Sequence, residues 1–238
     1  MSALNESFAF RHSLAHLLAW AMQELYPGVR YGIGPATDTG FFYDFELGHS
    51  LSEGDLGRIE AKMQELAAKK VAIEPRVVSK EDAKALFESK GQPYKLEILE
   101  ALSDQVDITV FRMGDFEDLC KGPHVANTGS LRHFKLTRVS GAYWKGDKRR
   151  ETLQRIQGVG FESKEELKAY LRFQEEAAAR DHRKLGRELG LFHLDEHSPG
   201  TVFWHPKGWT VWQRIEQYMR GVDNCCAETR TNLDIREK

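Results

Sequence analysis

Strand-like and helical segments alternate irregularly in this chain of 238 residues, and this order limits the fold more than any other feature. Leucines at helical spacing predict a first helix over about 8–25. Between residues 95 and 161, short apolar segments are separated by glycine, aspartate and asparagine, which is typical of strands and turns. No regular strand–helix–strand period connects these segments. The sequence therefore predicts an α+β fold, with a mostly antiparallel sheet packed by helices.

Serine–acid pairs mark the starts of three further helices. A serine oxygen caps the first turn of a helix, and an acidic side chain three residues later can bind back to the cap. The pairs are Ser52 with Asp55, Ser79 with Asp82 and Ser163 with Glu166. We expect the third helix to continue to about residue 187, and its polar middle indicates a solvated connector between two packed units.

Composition excludes several classes of protein. Hydrophobic residues make up 41% of the chain, but no apolar run approaches the roughly 18 residues that span a bilayer. The first residues lack the profile of a signal peptide. Cys120 stands alone and Cys225 is next to Cys226, so the three cysteines do not suggest a disulfide framework. We therefore expect a reduced, cytoplasmic protein that does not enter membranes.

A basic segment at residues 132–155 contrasts with the net charge of -2 of the whole chain. It contains eight lysines and arginines against two acids, and Phe134, Tyr143 and Trp144 lie among them. Such a segment can neutralise RNA phosphates while its aromatic rings stack on unpaired bases. A solvated charged hairpin is the alternative.

Two pairs of residues carry the chemistry that the sequence suggests. His12 and His16 are four residues apart, which places both imidazoles on one face of the first helix, away from its leucines. Cys120 and His124 flank the turn-forming dipeptide Gly122-Pro123, so a tight loop can direct both side chains toward one point. Four such ligands can bind zinc, or the histidines can act as bases around a water molecule. An exposed helix face and a buried structural thiol are the alternatives.

Several motifs together resemble a known family. The segments RHSLAHLLAWAMQELYP, IGPATDTGFFYDF, DLCKGPHV and GAYWKGDKRRETLQRIQG are similar to the editing domain of threonyl-tRNA synthetase, whose relatives include the second domain of alanyl-tRNA synthetase. The segment PGTVFWHPKGWTVWQRIEQYMR resembles the start of the class II catalytic domain.

The resemblance implies three parts: an editing domain at 1–162, a connector helix at 163–190 and an incomplete catalytic remnant at 191–238 with a divergent tail from 221. The implied activity is hydrolysis of mischarged seryl-tRNA(Thr), by a truncated module or in trans. The alternatives are a threonine–tRNA ligase whose ATP-binding motifs are missing here, so that this chain alone does not aminoacylate, and a non-catalytic RNA-binding fragment.

The resemblance also implies roles for individual residues. One group would be catalytic, with His12 orienting the hydrolytic water: His12, His16, Lys95, Cys120 and His124. Asp118 would contact the seryl amine, and Tyr43 would lie near the terminal adenosine. The implied partner is the acceptor end of tRNA(Thr) with its seryl-adenosine 3′ terminus.

Zinc is the open question that the resemblance raises. Alanyl-type relatives hold zinc with a His-His-Cys-His set, whereas the threonyl-type site is generally described as working without it. We expect that editing requires no cofactor and that zinc can be held by His12, His16, Cys120 and His124. We also expect self-association through the exposed apolar remnant that contains Phe203, Trp204, Trp209 and Trp212.

Overall fold

The computed structural model describes the backbone of residues 3–103 and 108–234, and the side chains of residues 6–103 and 108–222. The chain divides into two compact units, residues 1–169 and residues 170–238. Cys225, Cys226 and the end of the tail from 221 lie outside the part with described side chains.

The first unit contains four helices and seven strands among its described residues, and a fifth helix begins in it. The helices are α1 (Ala3–Leu25), α2 (Glu53–Ala68), α3 (Lys80–Ser89), α4 (Pro93–Glu100) and the start of α5 (Lys164–Ala179). The strands are β1 (Arg30–Tyr31), β2 (Gly40–Glu46), β3 (Ile73–Val78), β4 (Ile108–Met113), β5 (Phe116–Leu119), β6 (Phe134–Tyr143) and β7 (Thr152–Gly160).

These strands form two antiparallel sheets. The larger sheet has the order β1-β2-β7-β6, and the smaller has the order β3-β4-β5. In the larger sheet Tyr43 pairs with Ile156, and in the smaller sheet Asp118 pairs with Phe111. The α+β fold with mostly antiparallel sheets is therefore confirmed.

Helix α1 lies at the centre of the first unit. It contacts α2 and strands of both sheets, so it is buried on more than its leucine face. Leu14, Leu17 and Leu18 are fully buried, and so are the small residues Ala15 and Ala19 on other faces. Alanines permit the close approach of neighbouring elements, and this central position places the residues of α1 next to β5.

The three predicted helix starts are confirmed. The Ser52 backbone N–H donates to the Asp55 carboxylate at 2.8 Å, and Ser79 Oγ accepts the Asp82 backbone N–H at 3.0 Å. At the start of α5, Ser163 Oγ accepts the backbone N–H of Glu166 at 3.2 Å. These local hydrogen bonds satisfy backbone groups that a helix end would otherwise leave unpaired.

The prediction of one continuous helix to residue 187 is wrong. Helix α5 ends at Ala179, and a second helix, α6 (His182–Glu188), follows. Asp181 caps α6, because its carboxylate accepts the Arg183 backbone N–H at 2.8 Å. An aspartate that binds the backbone in this way favours a new helix start over helix continuation.

The second unit contains α6, a short hairpin and a long helix. The hairpin pairs β8 (Phe192–Leu194) with β9 (Val202–Trp204), and α7 (Pro206–Asp234) follows. Several large apolar side chains of this unit are exposed, among them Phe203, Trp204, Trp209 and Trp212. Within the described part of the chain, no helix has the length and apolar character needed to cross a membrane.

Candidate active site

The two pairs of residues from α1 and from the loop after β5 meet at one point. The candidate ligand atoms of His12, His16, Cys120 and His124 all lie within 4.8 Å of one another. Cys120 Sγ is 3.4 Å from His12 Nε2 and 3.2 Å from His124 Nε2. Because β5 packs against α1, the loop that follows this strand lies over the histidine face of the helix.

The loop at 120–124 owes its shape to Gly122. This residue has a φ of 68°, in the left-handed region that glycine adopts most easily, and a Cβ here would lie 3.0 Å from the ring of Phe111. The Gly122 backbone N–H donates to Cys120 Sγ at 3.1 Å. Phe111 also packs against His124, with ring centroids 4.4 Å apart. The loop therefore holds both the thiol and the imidazole in place.

A second polar group, formed by Lys95, Asp118 and Tyr43, lies beside the four ligands. Lys95 and Asp118 are each only 2% exposed, and their Nζ and Oδ1 atoms are 2.6 Å apart. The Tyr43 hydroxyl donates to Asp118 Oδ2 at 2.5 Å and accepts from Lys95 Nζ at 3.0 Å. Asp118 Oδ2 is also 3.7 Å from His16 Nδ1. This carboxylate therefore lies between the two polar groups.

A cavity of about 350 Å³ opens between these groups and an apolar wall. Its polar lining includes His12, His16, Lys95, Asp118 and Cys120. Its opposite lining includes Ile33, Pro35, Ile98, Leu102 and Ile108. A concave site with few convergent polar groups and apolar walls is the usual form of a small-ligand site.

Tyr43 lies behind the Asp118 carboxylate, and it is not among the residues that line the cavity. Its side chain is fully buried, and burial raises its pKa well above the ordinary value, so its hydroxyl keeps its proton. The Tyr43 ring also packs so tightly against Gly34 that a Cβ at residue 34 would overlap it. Contact between Tyr43 and a terminal adenosine stays a prediction, and this buried position does not favour it.

Burial determines the protonation states of the three histidines and the cysteine of the site. It lowers the pKa of His12 and lowers that of His16 well below the ordinary value. Burial, together with the neighbouring imidazoles, lowers the pKa of His124 to about 2, and burial raises the pKa of the Cys120 thiol to about 12. At neutral pH the imidazoles are therefore uncharged, and each ring has one nitrogen with a free lone pair. The thiol is protonated and is a weak nucleophile.

The chemistry of the four side chains, three imidazoles and one thiol, suits a zinc ion. Zinc prefers four nitrogen and sulfur ligands at about 2.0–2.3 Å, which places the ligand atoms roughly 3–4 Å apart. Both Nε2 contacts to Cys120 Sγ, at 3.2 and 3.4 Å, lie in that range. The Cys120 thiol has one proton and can donate it to only one of these two imidazole nitrogens at a time. A cation would bind the lone pairs of both nitrogens. Ligating histidines also use an outer partner, and the Asp118 carboxylate lies near His16 Nδ1, at 3.7 Å, beyond hydrogen-bond distance.

Sequence reasoning missed Ser13, which lies between the two histidines of α1 and is fully buried. Its hydroxyl is 3.0 Å from His124 Nδ1, on the far side of the ring from the thiol. A serine among buried apolar residues of a central helix was the signal that could have identified it, because a buried hydroxyl needs partners.

The basic segment is a structural element more than an open RNA surface. Five of its eight cations form ion pairs: Lys135 with Glu60, Lys145 and Arg150 with Glu97, Arg149 with Asp147, and Arg155 with Asp44. Phe134 and Trp144 are buried, so the prediction that they stack on bases is wrong. Phe134 is in β6 and faces the main core, as alternate residues of an antiparallel strand do. Trp144 follows this strand and packs with Tyr94 and Leu153, and its Nε1–H donates to Glu97 at 2.9 Å. Tyr143 is exposed.

Comparison with known proteins gives one family match and several relatives of high sequence identity. Residues 108–157 match the family described as the threonyl and alanyl tRNA synthetase second additional domain. Three relatives named threonine--tRNA ligase come from Methylibium petroleiphilum, Acidovorax sp. (strain JS42) and Delftia acidovorans, with 58%, 56% and 54% identity over 212 residues. The match covers 89% of this chain and 33% of each relative, so the chain spans about a third of their length. The chain is therefore similar over most of its length to part of the threonine--tRNA ligases, and its residues 108–157 match the second additional domain of the threonyl and alanyl tRNA synthetases.

Proposed function

We propose that the first unit hydrolyses the ester bond of mischarged seryl-tRNA(Thr) and releases serine and free tRNA(Thr). The observation that carries this proposal is the cavity between the buried pair Lys95–Asp118 and the imidazole–thiol group. Ester hydrolysis needs a base beside a water molecule and a donor for the developing oxyanion. Both kinds of group line this cavity.

Asp118 and Lys95 bind the aminoacyl end. The α-ammonium of the seryl group is a cation, and the Asp118 carboxylate is the buried anion that faces the cavity. Lys95 uses its contacts with Asp118 and Tyr43 for two of its three ammonium protons. The third proton is directed to the ester carbonyl, whose oxygen gains negative charge during the attack of water.

His12 accepts the proton of the attacking water. Its imidazole lines the cavity and is neutral at pH 7 because burial lowers its pKa. His16 and His124 keep His12 in position, with ring centroids 5.1 and 4.4 Å from that of His12. The high pKa of Cys120 favours a direct attack by water over an acyl-thiol intermediate.

Zinc, where it binds, would be held by His12, His16, Cys120 and His124. It would supply a Lewis acid that polarises the ester carbonyl or lowers the pKa of a bound water molecule. Our proposal for the reaction of Asp118, Lys95 and His12 requires no cofactor.

A hydrolytic site of this kind compensates for the limited selectivity with which a binding pocket distinguishes threonine from serine. Threonine and serine differ by one methyl group, which is worth only about 1–3 kcal/mol in a pocket. A second site that hydrolyses the smaller serine ester multiplies the discrimination of the first. We propose that the protein acts in the cytoplasm on the acceptor end of tRNA(Thr), with an editing domain at 1–162, a connector at 163–190 and part of a catalytic domain at 191–238.

The test is a deacylation assay with the full chain on seryl-tRNA(Thr) and threonyl-tRNA(Thr). We expect rapid release of serine, slow release of threonine, and a large loss of rate in the variants His12→Ala and Lys95→Ala. A matched control is His49→Ala, because His49 is a histidine of the same unit that lies outside the cavity. A folded chain that leaves seryl-tRNA(Thr) intact but still binds it would indicate an RNA-binding module.

A further inference from the structure

The hydroxyl of Ser13 has three hydrogen-bonding neighbours and one proton. Its Oγ lies 2.8 Å from the Ala9 carbonyl oxygen, 3.0 Å from the Val125 backbone nitrogen and 3.0 Å from His124 Nδ1. Ser13 is fully buried, so water does not compete for these contacts. The positions of the hydrogens follow from which neighbours can donate.

The Ser13 hydroxyl donates its proton to the Ala9 carbonyl oxygen. A carbonyl oxygen only accepts, and two oxygens approach to 2.8 Å favourably only when a proton lies between them. The Val125 backbone N–H only donates, so it uses one lone pair of Ser13 Oγ. The remaining lone pair of Oγ faces His124 Nδ1, and this contact is a hydrogen bond only if Nδ1 carries the hydrogen.

We propose that Ser13 is a positioning residue that fixes His124 in the tautomer with its hydrogen on Nδ1. The lone pair of the neutral ring is then on Nε2, which lies 3.2 Å from Cys120 Sγ and faces the site. In water an isolated histidine imidazole prefers the tautomer with its hydrogen on Nε2. The Nδ1–H tautomer of His124 therefore depends on the contact with Ser13.

The consequence for catalysis rests on the proposed deacylase function. With its lone pair on Nε2, His124 accepts the Cys120 S–H, and the second imidazole near the thiol, that of His12, is left free to accept a proton from water. In the other tautomer His124 Nε2 would carry a hydrogen and could not accept the Cys120 S–H. The thiol would then donate to His12 Nε2, and His12 could no longer accept a proton from water. The same Nε2 lone pair is what a cation at this point requires.

The experiment records imidazole nitrogen chemical shifts by NMR on the full chain labelled with ¹⁵N at histidine, in EDTA so that no cation selects the tautomer. The His124 signals are assigned by their loss in His124→Asn. In the unaltered protein we expect a protonated Nδ1 and an unprotonated Nε2. A hydrogen on Nε2 would overturn the proposal without any variant being made.

The variant Ser13→Ala removes the acceptor. We expect His124 to shift toward the Nε2–H tautomer, and kcat for seryl-tRNA(Thr) hydrolysis to fall about 10- to 100-fold at nearly constant KM. Ser7→Ala is the matched control, because Ser7 lies on the same helix and its hydroxyl binds Arg11 at 2.5 Å, away from the site. An unchanged tautomer in Ser13→Ala would refute the role of Ser13. Absence of deacylation in the unaltered chain would refute only the proposed function, because the tautomer is read independently.

Discussion

Neutralising one partner of the buried ion pair Lys95–Asp118 should destabilise the first unit strongly. The two charged atoms are 2.6 Å apart, which corresponds to an attraction of about 6 kcal/mol at an effective dielectric constant of about 20. Desolvation of two ions that are each 2% exposed offsets much of this attraction. The pair as a whole therefore contributes little net stability, whereas one charge left alone is costly.

We expect Asp118→Asn and Lys95→Met each to lower the free energy of unfolding by about 3–5 kcal/mol. The double variant should cost less than either single change, because it leaves no unpaired charge and the Asn oxygen still accepts the Tyr43 hydroxyl. The coupling between the two sites is then several kcal/mol, well above the roughly 0.5 kcal/mol seen for independent positions.

Hydrogen exchange of the amides of β2 measures this free energy in the first unit, since the tryptophans of the chain are distributed over both units. Arg149→Met is the control, because the Arg149–Asp147 pair is almost as short, at 2.8 Å, but its arginine is largely exposed, so we expect little change. Additive losses in the double variant would refute the assignment of a buried, mutually dependent ion pair.

Three further outcomes are expected. Hydrogen bonds from Arg150 lower the pKa of Glu97. Ionised Glu97 therefore stabilises the folded protein fully above the ordinary glutamate pKa of about 4.3, and this contribution is lost as the pH falls. In urea unfolding at a series of pH values, Glu97→Gln should reduce the loss of stability in acid. Cys120→Ser should weaken zinc affinity more than about 10-fold in calorimetric titration, and equal affinity would contradict the ligand set. Replacing the exposed pair Trp209 and Trp212 by serine should suppress concentration-dependent association in analytical ultracentrifugation, and a monomeric unaltered chain would refute this surface as the cause.

Local features of the fold were predictable from the sequence. The starts of α2, α3 and α5 follow from serine–acid pairs, because capping depends on residues three positions apart. The break between α5 and α6 was missed although Asp181 is a good cap, since the helical pattern continues across it. Helix α4, which carries Lys95, has only eight residues and too short a pattern to be recognised.

Burial of individual side chains was harder to predict than element type. Phe134 and Trp144 lie in a basic segment, yet both rings are buried. Helix α1 was predicted with a single apolar face, whereas contacts from α2 and from both sheets bury it on several sides. Which face of an element meets a neighbour depends on the topology of the whole unit, and no short window of sequence contains that information.

The sequence by itself determined that His12 and His16 share one face of a helix and that a glycine–proline turn bends the chain between Cys120 and His124, because both arrangements arise within a few residues. Only the tertiary structure decided that these pairs meet, that Lys95 and Asp118 form a buried ion pair, and that Ser13 contacts His124. Contacts such as Cys120 with His12 join residues 108 positions apart, so they depend on the packing of β5 against α1. Burial in that packing also lowers the pKa of His12 and raises that of the Cys120 thiol.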